Sequence, residues 1–246
     1  MKKSASGAPI YQHENRETDF ELASGDSENI EAISDHIEKH IGPVTNVFHE
    51  LISDLIHIDV HIVDPTESRN FYTLVTSGMS DRPMSAPDEY SACNYSELMI
   101  CLPPDWPMGD EAWKREENYW PIRLLKVLAR FPHEYQTWLW SMHTIPNGNP
   151  AEPFADNTKL TGALLMPPLT VEEEFYMLPV SNKKTSDEKM IHFHALIPLY
   201  DDEMNLKLKK GAEALFEGFD RIGVSEILIP NRPSSAKKRG WFSFGK

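Results

Sequence analysis

The sequence predicts an α+β domain with a central, mainly antiparallel sheet flanked by helices. Three observations carry that prediction. Apolar residues recur at helical spacing in three separated stretches, short apolar or alternating runs of strand length fall between them, and the order helix, strands, helix, strands, helix lacks the regular alternation of βαβ units.

In chain order, residues 1–26 are polar and aperiodic, with little to bury, and read as a flexible arm. Ile30, Ile33, Ile37 and Ile41 then mark an amphipathic helix, with Ser27 or Asp26 as its cap and Gly42-Pro43 as its stop. Ile56, Ile58, Val60 and Ile62 alternate with His57, Asp59 and His61, the pattern of a half-buried strand ending at Asp64-Pro65. Two further strands are predicted over Phe71–Ser77 and Ser96–Leu102, the second closed by Pro103-Pro104.

A second helix is predicted over Trp120–Phe131. Ile122, Leu125, Leu128 and Ala129 share its buried face, Pro121 sits in the first turn and Pro132 closes it. Four short strands follow, over Trp138–Ile145, Leu160–Met166, Glu174–Pro179 and Ile191–Leu199, separated by Pro, Asn and Gly. A last helix from about Asp201 to Phe219 buries Met204, Leu208, Ala212 and Leu215. One folded domain is thus expected over 27–231, followed by a basic tail, 232–246, in which Trp241, Phe242 and Phe244 interrupt polar residues.

With 246 residues, 40% of them hydrophobic, the chain can bury a substantial core without staples. Cys93 and Cys101 are its only cysteines and have no Cys/His knuckle around them, so neither a disulfide framework nor a structural zinc site is indicated, and a reducing cytoplasm is the natural compartment. No apolar core of a signal peptide follows Lys2 and Lys3, and no later run approaches the roughly 18 apolar residues of a membrane span. The formal net charge of −14 opposes adhesion to nucleic acid or anionic lipid. Because residues 232–246 carry five bases and no acid, the acidity belongs to the folded part, where it serves solubility or complements a basic partner.

Catalytic signatures are missing. His49-Glu50 opens a zincin motif, but Ser53 stands where the second histidine belongs. No phosphate loop, Gly-x-Gly-x-x-Gly run or Gly-x-Ser-x-Gly elbow occurs. Two histidine pairs, His57 with His61 around Asp59 and His192 with His194, could each offer ligands from one side of a strand, but neither has an identifiable third ligand, so no metal and no cofactor are assigned. Glu97, Asp59 and Glu203 could supply acid or base groups, but structural or surface roles account for them better. Trp106, Trp113, Trp120, Trp138 and Trp140 are dense between positions 100 and 140; they read first as core, and as partner anchors only where exposed.

Several ordered blocks remain: Thr73-Leu-Val-Thr-Ser-Gly-Met-Ser-Asp-Arg-Pro-Met84, Ser96-Glu-Leu-Met-Ile-Cys-Leu-Pro103, Trp120-Pro-Ile-Arg-Leu-Leu-Lys-Val-Leu-Ala-Arg-Phe-Pro132, His143-Thr-Ile-Pro-Asn-Gly148, Lys159–Pro168, Leu196–Glu203 and Lys210-Gly211. Read in order, they resemble the suppressor-of-fused domain family, the later blocks its bacterial branch. Gly78, Ser80, Pro83, Glu97, Trp120, Arg130, Pro132, Pro198, Glu203 and Gly211 are the family-motif positions, expected to be structural. The resemblance implies a cytoplasmic protein-binding domain and no enzyme. Animal members grip a short peptide as an added strand, and bacterial members include immunity proteins that silence toxins. The partner is therefore expected to be a protein, plausibly a cognate toxin, with peptide-capturing adaptor and uncharacterised metal-binding enzyme as alternatives.

In the animal proteins a second, carboxy-terminal domain forms the other wall of the peptide cleft, and this chain is too short to include it. The tyrosine and aspartate with which the animal amino-terminal domain grips its peptide align with Phe131 and Met142, so those polar contacts are lost and the same peptide is not expected to bind. Candidate contact residues are Asp81, Arg82 and Met84 on the Thr76–Met84 stretch, with His143 and Asn147 on a second loop. For the first stretch the alternative is that Gly78 makes a tight bend and Ser80-Asp81 cap nearby N–H groups; for the second it is a plain Pro-Asn-Gly turn.

Overall fold

In the computed structural model the described residues are 2–14, 20–50, 52–181 and 188–237. Short strands β1 (Lys2–Lys3) and β2 (Pro9–Ile10) pair with each other, and β3 (Leu22–Ala23) leads into helix α1 (Ser27–His40). Asp26 is the cap of α1, its carboxylate accepting the Glu28 and Asn29 N–H groups. Ile33 and Ile37 of the predicted stripe are fully buried. The chain then runs through β4 (Val44–Phe48), which the sequence did not announce, and β5 (Ser53–Asp54), which pairs with β3.

Strand β6 (Asp59–Val63) differs from expectation: all five of its residues are buried. Helices cover the sheet on both faces, so the alternation of apolar and polar side chains there does not separate core from solvent. His61 and Asp59 are polar residues of the interior. β7 (Tyr72–Ser77) and β8 (Tyr95–Leu102) fall where they were predicted, each within a residue.

After the single turn α2 (Asp110–Trp113), helix α3 runs over Glu116–Glu134, longer at both ends than the sequence indicated. Both prolines lie inside it. Pro121 cannot donate to the carbonyl of Glu117, and the Asn157 Nδ2 donates to that oxygen instead, at 3.0 Å. Pro132 stands in the last turn and does not close the helix, which continues to Glu134.

Of the predicted Trp138–Ile145 strand only Thr144 and Ile145 are extended in a ladder, as part of β9 (Thr144–Pro146). β10 (Gly162–Met166), β11 (Met177–Ser181) and the long β12 (Glu188–Leu199) complete the sheet. The last helix is two, α4 (Asp201–Lys210) and α5 (Ala212–Ile222), parted at Gly211, whose φ of 91° a side chain rarely adopts. The strand order is β4-β6-β7-β8-β12-β10-β9, with β11 also on β12; every pair is antiparallel except β8 with β12.

The two faces are covered by different helices. Leu74, Leu98, Ile100 and Leu196 meet Trp120, Leu125 and Leu128 of α3, whereas Val75, Met99 and Phe193 meet Ile33 and Ile37 of α1. Ile197 and Leu199, on the α1 side by the alternation of β12, pack against Met204 of α4 and Leu215 and Phe219 of α5. This is a mixed α/β fold, its large sheet mostly antiparallel as expected.

Candidate functional site

The Thr76–Met84 stretch is shaped from beneath by Glu97, a fully buried carboxylate of β8. Its Oε2 accepts the Thr76 hydroxyl at 2.6 Å; its Oε1 accepts Gly78 N at 3.0 Å, Ser80 N at 2.9 Å and the Ser80 hydroxyl at 2.7 Å. Burial pushes the Glu97 carboxyl up to about 7 against these hydrogen bonds. Gly78 turns at φ 108°, and a Cβ there would stand 1.8 Å from the His57 carbonyl oxygen. Asp81 points inward, accepting Asn29 Nδ2 at 2.6 Å and Asp26 N at 3.0 Å, and so ties this turn to the start of α1.

Two contact candidates are thereby accounted for structurally. Met84 is 3% exposed and presents no surface, because its side chain fills the core under Leu139, whose N–H points at the Met84 sulfur at 3.5 Å. Arg82 is exposed and pairs with Glu21 at 2.6 Å. Pro83 is exposed beside it.

The remaining motif positions also hold the fold together. Trp120 stacks on Phe154 at 5.0 Å, and Arg130 and Lys126 both pair with Glu50. Glu203, with its carboxylate buried, receives Arg232 through Nη1 at 2.5 Å and Nη2 at 2.6 Å, while the same guanidinium donates to the Pro198 carbonyl. Ser235 N adds a bond to Glu203 at 2.8 Å, so residues assigned by composition to the tail are in contact with α4.

The histidines do not assemble a metal centre. His57 is held between Asp59, at 3.0 Å, and the Ser53 hydroxyl, at 2.8 Å. His61 is buried against Ser77, and burial lowers it to about 4. His192 and His194 both pack edge-on against Trp140 at 4.8 Å, His194 being lowered by burial to about 3. Among the described residues no group of three or more His, Cys, Asp or Glu side chains could hold a metal ion.

A different place has the geometry of a receptor. Along the outer edge of β9, between the end of α3 and α4, runs a mainly apolar groove of about 650 Å³, with Phe131, Trp138, Met142, His143, Ile145 and Met204 among its walls. β9 is the terminal strand of the sheet. Leu165 N donates to His143 O and Asn147 N to Thr161 O, so the alternation of the antiparallel ladder turns the Thr144 N–H and C=O outward, away from β10. Asn147 itself closes the following loop, donating to the carbonyls of Glu152 and Pro153.

His143 lies against Trp138 at 4.9 Å, and burial, then the nearby Lys207 charge, lower its pKa. Of the contact candidates His143 lines this groove, and so do Phe131 and Met142, the positions at which the resemblance implied that the gripping contacts are lost. Nothing in the sequence marked Ile145 or Lys207 as groove residues, because their grouping depends on how α3, β9 and α4 pack. On the near side the groove is walled by Tyr11 and His13, the latter 5.5 Å from Phe131 ring to ring.

The family model for suppressor of fused protein matches residues 54–233, well over half of the chain. The chain belongs to the suppressor of fused family. Among solved structures it is similar to a putative suppressor of fused homolog from Neisseria gonorrhoeae (TM-score 0.60, 16% identity, 87% of this chain and 100% of that one). It is also similar to a chain of the Sufu–Fu complex (TM-score 0.52, 16% identity, 78% and 84% covered). Drosophila Suppressor of Fused matches with a TM-score of 0.53 at 15% identity; 81% of this chain is covered, and the match spans about half, 48%, of that one. At these identities the likeness establishes the Sufu fold. No curated protein matches the sequence. No helix among the described residues is long and apolar enough to cross a membrane.

Proposed function

We propose that this Sufu-family chain is a non-catalytic protein-binding domain that captures an extended segment of a partner in the groove beside β9. The observation that carries this reading is the open edge of β9, whose outward Thr144 N–H and C=O run along an apolar trough. Added-strand binding needs that combination: main-chain groups for affinity and side-chain pockets for selectivity. The existence of a Sufu–Fu complex on a similar fold supports a protein as the partner.

Within this reading the finer role is that of a cytoplasmic immunity protein that silences a toxin by direct binding, with adaptor function as the alternative use of the same groove. The immunity role predicts a tight one-to-one complex without turnover; an adaptor exchanges its partner readily.

The test is affinity capture from the native cell with the wild-type chain and with Thr144→Pro. Proline removes the outward N–H and leaves the bonds of β9 to β10 in place. A protein retained by the wild type and lost with Thr144→Pro supports the groove. Equal retention by both, or a small molecule in place of any protein, overturns it.

A further inference from the structure

The groove is mainly apolar, and the Lys207 ammonium enters it from α4. Lys207 is half-buried and donates to the Thr144 hydroxyl at 3.4 Å, which places its charge beside the open edge of β9. Burial lowers its pKa, and no carboxylate among the described residues pairs with it. Asp201, an acid that also lines the groove, is occupied by Asn205 Nδ2 at 2.8 Å. An unpaired, partly desolvated ammonium is costly to hold and is the type of group that a ligand anion satisfies.

The last turn of α4 does not require it there. Lys209 and Lys210 are exposed in the same turn and complement the helix C-terminus from solvent, so the macrodipole gives no reason for Lys207 to lean into an apolar trough. The contrast with the rest of the molecule is sharp: the chain carries a net charge of −14, yet this groove offers a cation, with His143 beside it. Phe131 and Met142 add apolar wall to the groove, in which Lys207 is the one Lys or Arg side chain among the described lining residues.

We propose that Lys207 selects a carboxylate in the bound partner: the segment laid along β9 is apolar apart from an aspartate or glutamate, or a chain-terminal carboxylate, that reaches the Lys207 ammonium. The inference rests on the groove reading above and adds to it the chemistry of the occupant. Apolar residues of the segment contact Ile145, Trp138 and Met204, its backbone bonds Thr144, and its anion fixes the register by pairing with Lys207 next to that strand.

The test is selection from a displayed library of random peptides against three full-length proteins: the wild type, Lys207→Met and Thr144→Pro. The expected result is that wild-type selection enriches apolar peptides with an acid at a constant position, and that replacing this acid by its amide weakens binding about tenfold. Lys207→Met should still enrich apolar peptides but without the acid, and Thr144→Pro should enrich neither. Folding of each variant is read from its thermal unfolding. Peptides that depend on Thr144 but show no acidic preference, or keep it in Lys207→Met, overturn the role of Lys207 and leave the groove standing. Enrichment that is the same in Thr144→Pro, or no enrichment at all, overturns the groove and this inference with it.

Discussion

Ser80 gives both of its donors, the backbone N–H at 2.9 Å and the hydroxyl at 2.7 Å, to one oxygen of Glu97. With Thr76 and Gly78 completing the set, a carboxylate without a cation at hydrogen-bond distance is held by four neutral donors in the middle of the sheet. Replacing Glu97 with Leu strands the Gly78 and Ser80 N–H groups and the Ser80 hydroxyl, while Thr76 keeps the Leu98 carbonyl at 3.3 Å. The expected loss of stability exceeds about 3 kcal/mol, and Glu97→Gln should lose less because its amide oxygen still accepts. Denaturant unfolding of the two variants checks the order.

Glu97 also makes stability depend on pH. Its folded pKa is raised from 4.5 to about 7, so its contribution is fully present below about pH 4.5 and is lost as pH rises through 7. A rise of this size corresponds to roughly 3 kcal/mol. The wild type should therefore lose more stability than Glu97→Gln between pH 5 and 8. Parallel pH profiles for the two proteins would show that Glu97 stays ionised throughout.

Gly78→Ala should be more damaging than a normal loop substitution. The new Cβ meets the His57 carbonyl at 1.8 Å and must also accept a φ of 108°. A loss above about 3 kcal/mol, or failure to fold, is expected. Gly109, also at positive φ but with nothing within 4 Å of the added carbon, is the control: Gly109→Ala should cost about 1 kcal/mol.

The Glu203–Arg232 pair joins α4 to the segment after residue 231. Burial opposes the charge on Glu203, but the Arg232 hydrogen bonds and charge outweigh it and hold the carboxyl below its ordinary value. Removing Arg232 alone leaves a buried, unpaired carboxylate, at an expected cost of about 3–5 kcal/mol. Joint replacement of Glu203 and Arg232 by Gln and Met should cost less than Arg232→Met alone, which a double-mutant cycle reads directly.

Asn157→Ala tests a smaller bond. It removes the donor to the Glu117 carbonyl that Pro121 leaves unpaired, and a loss of about 0.5–1.5 kcal/mol is expected. In a background with Pro121→Ala, which restores the helical N–H, the same substitution should cost almost nothing.

Most of the secondary structure was legible because it is written in local periodicity. The α1 stripe, β7, β8, α3 and β12 all follow from spacing over a few residues. Misreadings arose where a long-range contact overrode the local signal. Pro132 does not end α3: it is buried in the last turn, where it forgoes the bond to the Leu128 carbonyl, and the helix runs on to Glu134. β6 looked half-buried, yet its polar residues are paired inside the core, His61 with Ser77 and Asp59 with His49 and His57. The Thr76–Met84 stretch was singled out for its distinctive residues, and these serve Glu97 and the start of α1.

The sequence by itself determined the fold class, the order of its elements and the family, because apolar periodicity and ordered motif blocks are properties of neighbouring residues. Which residues share a groove was decided only by tertiary structure. Phe131, His143, Thr144 and Lys207 lie up to 76 positions apart in the chain and share a groove only because α3 and α4 pack on opposite faces of one sheet beside its last strand. The outward edge of β9 and a Lys207 charge with no carboxylate partner among the described residues exist only in that arrangement, since both are defined by what the packed neighbours do not supply.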